Sequence, residues 1–166
     1  MDHSALTDAM KGYFDQRKDL IEHTLQVTAY AEQLLSRMSS TDIDPDVVLA
    51  AALMHDIGIV EAERKHGSGA GHYQEIEGPP IVRGIMESLK LSDDLIEEVC
   101  SIVAHHHSPG RIQTTNFAIL YDADWLVNLP NQYQRTGSTK VPKAAIESRY
   151  LTAEGKRLAA ELFLQS

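Results

Sequence analysis

Apolar residues recur at three- and four-residue spacing along almost the whole chain, and no stretch alternates with period two, so the pattern predicts an all-α fold. A first helix is expected over about residues 4–16 and a second from Asp19 to Met38, where Leu20, Thr24, Val27, Ala31, Leu34 and Met38 form an inward stripe bordered by His23. Ile43-Asp44-Pro45-Asp46 signals the next start, with Asp44 as N-cap, Pro45 at the first helical position and Asp46 suited to the helix dipole. That helix should run to Asp56 or Ile57 and be ended by Gly58. Residues 59–78 are charged and contain Gly67, Gly69, Gly71 and Gly78, which predicts a long loop whose residues 61–77 act as a lid. Pro79-Pro80 should open a helix reaching about Lys90, with Ile81, Ile85, Met86 and Leu89 inward, and Ser92 should cap another over 93–106, broken by Pro109-Gly110. A helix over about 115–128 is closed by Pro130. A polar linker over 129–142 then leads to a last helix or helix pair over 143–164, with Thr152 as an internal cap.

A chain of 166 residues can bury one core without staples, so one domain over 1–166 is expected. With 15 basic against 24 acidic residues the net charge is −9, which argues against a nucleic-acid or anionic-membrane partner and for a small molecule or a protein. Cys100 is the only cysteine, which excludes a disulfide framework and a multi-thiolate metal site. The start MDHSALTDAM has neither a basic segment nor an apolar signal core, and no uncharged run approaches the roughly 20 residues that cross a bilayer. A cytoplasmic protein is expected. Its surface shows no evident interface, so the oligomeric state stays open.

Four of the predicted helices carry polar groups at their inward edges: His23, the pair His55-Asp56, the run His105-His106-His107, and Asp122 with Asp124. Taken singly, each has an ordinary explanation as a satisfied core residue, a cap or a solvated helix end. Together they supply imidazole nitrogens and carboxylate oxygens, the donors that divalent first-row metals take, on facing helices where bundle proteins build metal sites. A dication would also offset the repulsion between buried carboxylates. Asp122 and Asp124 lie about 200° apart on a helix, so one ion cannot easily take both.

The order His23, then His55-Asp56 within LMHDIG, then Asp124 within ADWL resembles the signature of the HD-domain superfamily of metal-dependent phosphohydrolases, over roughly residues 20–128. The resemblance implies a single-domain helical bundle of the HD type, with the motif-bearing core at about 20–128 and a helical extension at 143–164. It also implies that His23, His55, Asp56 and Asp124 bind one divalent ion, Mn, Fe, Co, Ni or Mg, with His55 and Asp56 at the catalytic centre. Asp124 is favoured over Asp122 because the family's last aspartate usually follows an alanine. Asp122 is then a supporting, substrate-facing or surface residue.

Binuclear members of the superfamily add histidines between the HD pair and the last Asp, and here His72, His105 and His106 are the candidates for a second metal. The implied chemistry is hydrolysis of a nucleotide or other small phosphate ester by metal-activated water. The metal is the first cation for the phosphate, and Arg111 is the leading side-chain candidate among Arg64, Lys65, Arg83 and Arg111. Ile59, three residues after Asp56, stands where some relatives carry a catalytic Glu or Lys, and the GYP loop of the cyclic-dinucleotide phosphodiesterases is absent. Glu61, Glu63 and Glu75 are the remaining candidate bases. Two alternatives stay open: an HD-type di-iron oxygenase cleaving a carbon bond with O2, with His72 and His105 completing six ligands, and a non-catalytic nucleotide-binding sensor.

Overall fold

The computed structural model describes residues 1–164, which form nine helices and no strand. They are α1 (His3–Phe14), α2 (Lys18–Arg37), α3 (Pro45–Met54), α4 (Ile59–His66), α5 (Gly71–Ser88), α6 (Asp93–Val103), α7 (Thr115–Arg135), α8 (Lys143–Arg149) and α9 (Ala153–Phe163).

The centre is α3. Val47, Val48, Ala50, Ala51, Ala52, Leu53 and Met54 are all buried, so this helix is apolar on every side and can exist only inside a shell of others. Its start follows the sequence signal: the Asp44 carboxylate accepts from the Asp46 and Val47 amides, and Pro45 takes the first position. Helices α1, α2, α6 and α7 pack around it, and α2 also lies along α7. The small alanines of α3 let these neighbours come close. The expected stripe of α2 is buried at Leu20, Thr24, Val27, Ala31 and Leu34.

Residues 59–78 are not a loop. They form α4 and the first half of α5, joined by a short turn, and the expected lid over 61–77 is a packed helix pair. Three of the glycines that suggested a loop serve helix ends instead: Gly67 is the left-handed C-cap of α4 at φ 67°, and Gly69 and Gly71 flank the start of α5. Pro79-Pro80 does not open a helix but sits inside α5. The carbonyls freed at Glu75 and Ile76 lie on a half-exposed to exposed face, where water can take them. Likewise α7 continues through Pro130 to Arg135, so the expected break at 128 and the linker from 129 are both displaced by about two turns.

Gly58 also has a different job from the one expected. It has helical φ −74° and ψ −12° and leads directly into α4 rather than terminating α3 through a left-handed turn. Its role is close approach: a Cβ there would lie 2.7 Å from the Gln74 carbonyl oxygen and 2.7 Å from the Gly78 nitrogen. Backbone therefore rests on backbone where α5 crosses the α3–α4 junction. Gly58→Ala should cost about 2 kcal/mol or more, because neither partner can move aside as a flexible side chain would. Gly84→Ala, on the exposed face of the same α5 with open space around it, should gain about 0.5–1 kcal/mol. Denaturant unfolding of both variants checks the opposite signs.

Candidate metal centre

His23 comes from the second turn of α2, His55 and Asp56 directly follow the end of α3, Asp124 comes from α7, and these four side chains meet at one point. His23 Nε2 lies 3.1 Å from Asp124 Oδ1, 3.4 Å from Asp56 Oδ2 and 3.4 Å from His55 Nε2. His55 Nε2 in turn lies 3.3 Å from Asp56 Oδ2 and 3.5 Å from Asp124 Oδ1. His55, Asp56 and Asp124 are buried, and His23 is partly so.

The orientation of His55 follows from its backbone. Its Nδ1–H donates to the Ala52 carbonyl at 2.8 Å, which leaves Nε2 as the atom turned toward the cluster. Because α3 ends here, the negative end of its dipole also faces the cluster and favours positive charge. Burial works against ionisation of every member, yet the opposite charges prevail. Desolvation opposes the proton on His55, but the Asp56 and Asp124 carboxylates hold its pKa well above the ordinary value. Burial would raise Asp56, and His55 and His106 instead hold it well below the carboxylate range. Asp124 is likewise drawn down, against its burial, by the hydrogen bonds of His23 and His55. The His55 proton thus offsets part of the charge of two buried carboxylates, a task a dication can perform in its place.

Asp56 faces a second group through its other oxygen. His106 Nε2 lies 3.5 Å from Asp56 Oδ1, and the His106 ring is oriented as that of His55 is, with Nδ1 donating to the Val103 carbonyl at 2.7 Å. His106 Nε2 is buried and has no hydrogen-bond partner. A buried nitrogen without a partner, beside a carboxylate oxygen, fits a metal ligand better than a structural histidine. His107 joins this side, since one ligand atom from each of Asp56, His106 and His107 falls within 4.8 Å of the others. Its Nε2 lies 3.2 Å from Gln74 Oε1, and its ring crosses Gly71 so closely that a Cβ there would meet it at 2.7 Å. Burial, and then neighbouring His106, push the His107 pKa down to about 4.

His72 and His105 stand elsewhere. His72 is exposed on α5 with its ring against Tyr73, and His105 turns its Nδ1 to the Ser101 carbonyl at 2.9 Å. The histidine run lies in a tight turn after α6, which brings its second and third members, buried His106 and exposed His107, to the Asp56 side rather than its first and second. Arg111 is exposed in the segment after that turn, and the other candidate cations are engaged: Arg64 with Glu61, Lys65 with Glu77 and Glu61, Arg83 with Glu97. Glu63 pairs with Arg17, and Glu75 holds the His107 amide and the Ser108 hydroxyl. None of the three glutamates considered as bases is free of a partner.

Asp122 has a structural task instead. It is fully buried, and its carboxylate accepts from the Leu151 amide at 2.7 Å, the Thr152 amide at 2.8 Å and the Thr152 hydroxyl at 2.6 Å. Burial pushes its carboxyl up to about 6 against the pull of these donors. Gly155 has no side chain because the Asp122 carboxylate fills that space, and the Thr152 hydroxyl caps α9 as expected. Asn128, which the sequence reading did not single out, lies one turn beyond Asp124 and donates to its Oδ1 at 2.8 Å. The i, i+4 spacing on one helix face was the available signal.

A helical bundle that gathers His23, His55, Asp56 and Asp124 at one buried point defines a candidate metallo-protein. The HD domain family model matches residues 20–129, two thirds of the chain, and the chain belongs to that family. Among solved structures it is similar to a predicted HD superfamily hydrolase from an uncultured Thermotogales bacterium, with a TM-score of 0.68 and 22% identity over 94% of this chain and 82% of that one. No curated protein matches. Among the described residues no helix is long and apolar enough to cross a membrane.

Asn128→Ala should weaken divalent-metal affinity about 10–100-fold, the usual cost of losing a group that holds a ligand, as read by calorimetric titration with Mn(II). Asp122→Ala should act on folding. Stranding two amides and a hydroxyl should lower stability by about 2–4 kcal/mol, as read by chemical denaturation.

Proposed function

We propose that the protein is a metal-dependent phosphohydrolase that acts on a nucleotide or other small phosphate ester, with His23, His55, Asp56 and Asp124 holding a divalent ion such as Mn, Fe, Co, Ni or Mg. The observation that carries this reading is the convergence of His23 Nε2, His55 Nε2, Asp56 Oδ2 and Asp124 Oδ1 within 3.1–3.5 Å contacts inside a protein of the HD family. A second ion would take Asp56, His106 and His107, which is the second grouping of possible ligands in the structure. His106, named from sequence, keeps its place in that set, and His107 replaces His72 and His105.

When bound, the ion supplies a Lewis acid and makes water acidic enough to attack phosphorus near neutral pH. The protein's own residues do the rest. Asp56 and Asp124 stay ionised at neutral pH because their imidazole neighbours hold their pKa values low. The Asn128 amide fixes the Asp124 carboxylate, and the Ala52 and Val103 carbonyls fix the tautomers of His55 and His106. His107 stands between Asp56 and an open cleft, with its Nε2 3.2 Å from Gln74 Oε1, where it is placed to hold the second ion. The oxygenase alternative requires His72 and His105, which lie away from both groupings. A sensor that only binds nucleotide has no need of so costly a buried donor set.

Purified protein should contain or take up close to one equivalent or more of a divalent metal by elemental analysis, and should hydrolyse at least one member of a panel of nucleotides and sugar phosphates in the presence of Mn(II). Asp56→Ala should lose the metal and reduce turnover at least about 1,000-fold, because it removes a ligand shared by both groupings. Full phosphatase activity in a metal-free Asp56→Ala protein would overturn the reading. Oxygen consumption by the Fe(II)-loaded protein would favour the oxygenase.

A further inference from the structure

A cleft of about 310 Å³ opens directly beside the candidate metal centre, with Asp124 and His107 at its inner end. Its size falls at the lower end of small-molecule sites, about 300–1,000 Å³. Most of its wall comes from one face of α7: Asp124, Asn128, Asn131, Gln132 and Arg135 recur at i, i+4, i+7, i+8 and i+11, a single stripe on a helix. The stripe exists only because α7 continues through Pro130. Had the helix stopped before that proline, the three outer residues would not share a face with Asp124.

The chemistry of the stripe changes along its length. At the inner end is a carboxylate of the candidate metal centre, in the middle are three side-chain amides, and at the outer end is a guanidinium. One of the amides is already committed, since Asn128 Nδ2 donates to Asp124, which leaves its carbonyl oxygen for other use. Asn131 and Gln132 are exposed and make no side-chain hydrogen bond among the described residues.

Arg135 is the unusual member. Of the eight arginines in this acidic chain, Arg17, Arg37, Arg64, Arg83 and Arg157 each hold a carboxylate, Arg149 lies 3.9 Å over the ring of Trp125, and Arg111, which likewise holds no carboxylate among the described residues, does not line the cleft. Arg135 has no carboxylate within 4.0 Å among the described residues, and it is the sole cation lining the cleft. Eleven residues of helix separate the two ends of the stripe by about 16 Å along the axis, a gap that the long arginine side chain can shorten because helical side chains lean toward the N-terminus. One nucleoside unit bridges such a span.

Resting on the phosphohydrolase reading, we infer that this cleft selects substrates with two anionic groups: a phosphate ester at the metal centre and a second phosphate held by Arg135, joined by a section rich in hydroxyls or amide edges that Asn131 and Gln132 recognise. Arg135 is then a specificity residue. It touches the distant phosphate and not the reacting one, so it acts on binding and hence on KM. A guanidinium is well suited to this because it grips phosphate with two parallel N–H donors.

The test compares adenosine 3′,5′-bisphosphate with adenosine 5′-monophosphate on the Mn(II)-loaded protein. The wild type should prefer the bisphosphate at least about tenfold in kcat/KM, the effect of one charge-assisted contact. Arg135→Ala should abolish the preference by raising KM for the bisphosphate with kcat little changed, and Arg135→Lys should restore part of it. Lys11→Ala, which removes the same charge from α1, should leave the ratio intact. Equal kcat/KM for the two nucleotides in the wild type, or an equal loss on both in Arg135→Ala, would overturn the inference while leaving the phosphohydrolase reading in place. Calorimetric binding of the bisphosphate separates the reverse case. A protein that hydrolyses neither nucleotide but binds the bisphosphate with an affinity that depends on Arg135 retains the anion site and refutes the hydrolase, and an affinity indifferent to Arg135 refutes the site.

Discussion

Two carboxylates, Asp56 and Asp124, are buried beside the same pair of imidazoles, and this is the arrangement that the remaining architecture has to support. Like charges in a low-dielectric interior repel, and each also gives up its hydration. The chain meets that cost by bringing histidines from two helices to the same point and by ending α3 there, so that the dipole of that helix adds to the preference for a cation. Helices α2, α3 and α7 each supply at least one member of the cluster, and each also packs against the other two. The core thus fixes the relative positions of groups that would otherwise drift apart. The all-apolar surface of α3 is the means: it can be satisfied only by close neighbours on every side, and those neighbours carry the other ligands.

Helix α7 serves two purposes on opposite sides. Asp124 faces the cluster, and Asp122, two residues earlier, faces the junction of α8 and α9, where it closes hydrogen bonds to Leu151 and Thr152. The same residue type meets opposite conditions. Imidazoles draw one carboxyl down, whereas burial among neutral donors pushes the other up to about 6. The separation of roles expected from their angular offset is therefore visible in the structure as a difference in chemistry as well as direction.

The helical class and the stripes of α2 and α3 were legible because apolar spacing and the Asp44-Pro45 start are strong local signals. So was the set His23, His55, Asp56 and Asp124 as the group to examine, since its order along the chain is itself distinctive. What failed was punctuation. Glycines at 67, 69 and 71 looked like a loop but mark helix ends, and prolines at 79, 80 and 130 looked like boundaries but lie within helices whose tertiary packing outweighs the lost hydrogen bonds. Those errors hid the α4–α5 pair and the outer half of α7. The members of the histidine run that face Asp56 were equally hidden, because a turn after α6 sets which rings lie on that side and no periodic rule covers a turn. Likewise the need for glycine at 58 depends on α5, whose backbone passes close by from sixteen or more residues away in sequence.

The clasp formed by Asp122 bears on where the functional unit ends. The HD family match stops at residue 129, yet the partners of Asp122 lie at 151 and 152, and Tyr150 donates to the Trp125 carbonyl at 3.0 Å while Arg149 covers the Trp125 ring. On the other flank, Leu6, Met10 and Phe14 of α1 are buried in the core. A fragment trimmed to residues 20–129 would open the core on one side and leave a buried carboxyl without its donors on the other, one turn's reach from Asp124. The recognisable sequence motif is thus smaller than the cooperative unit that keeps it in shape, and the tail that carries none of the signature residues is part of what holds the last of them in place.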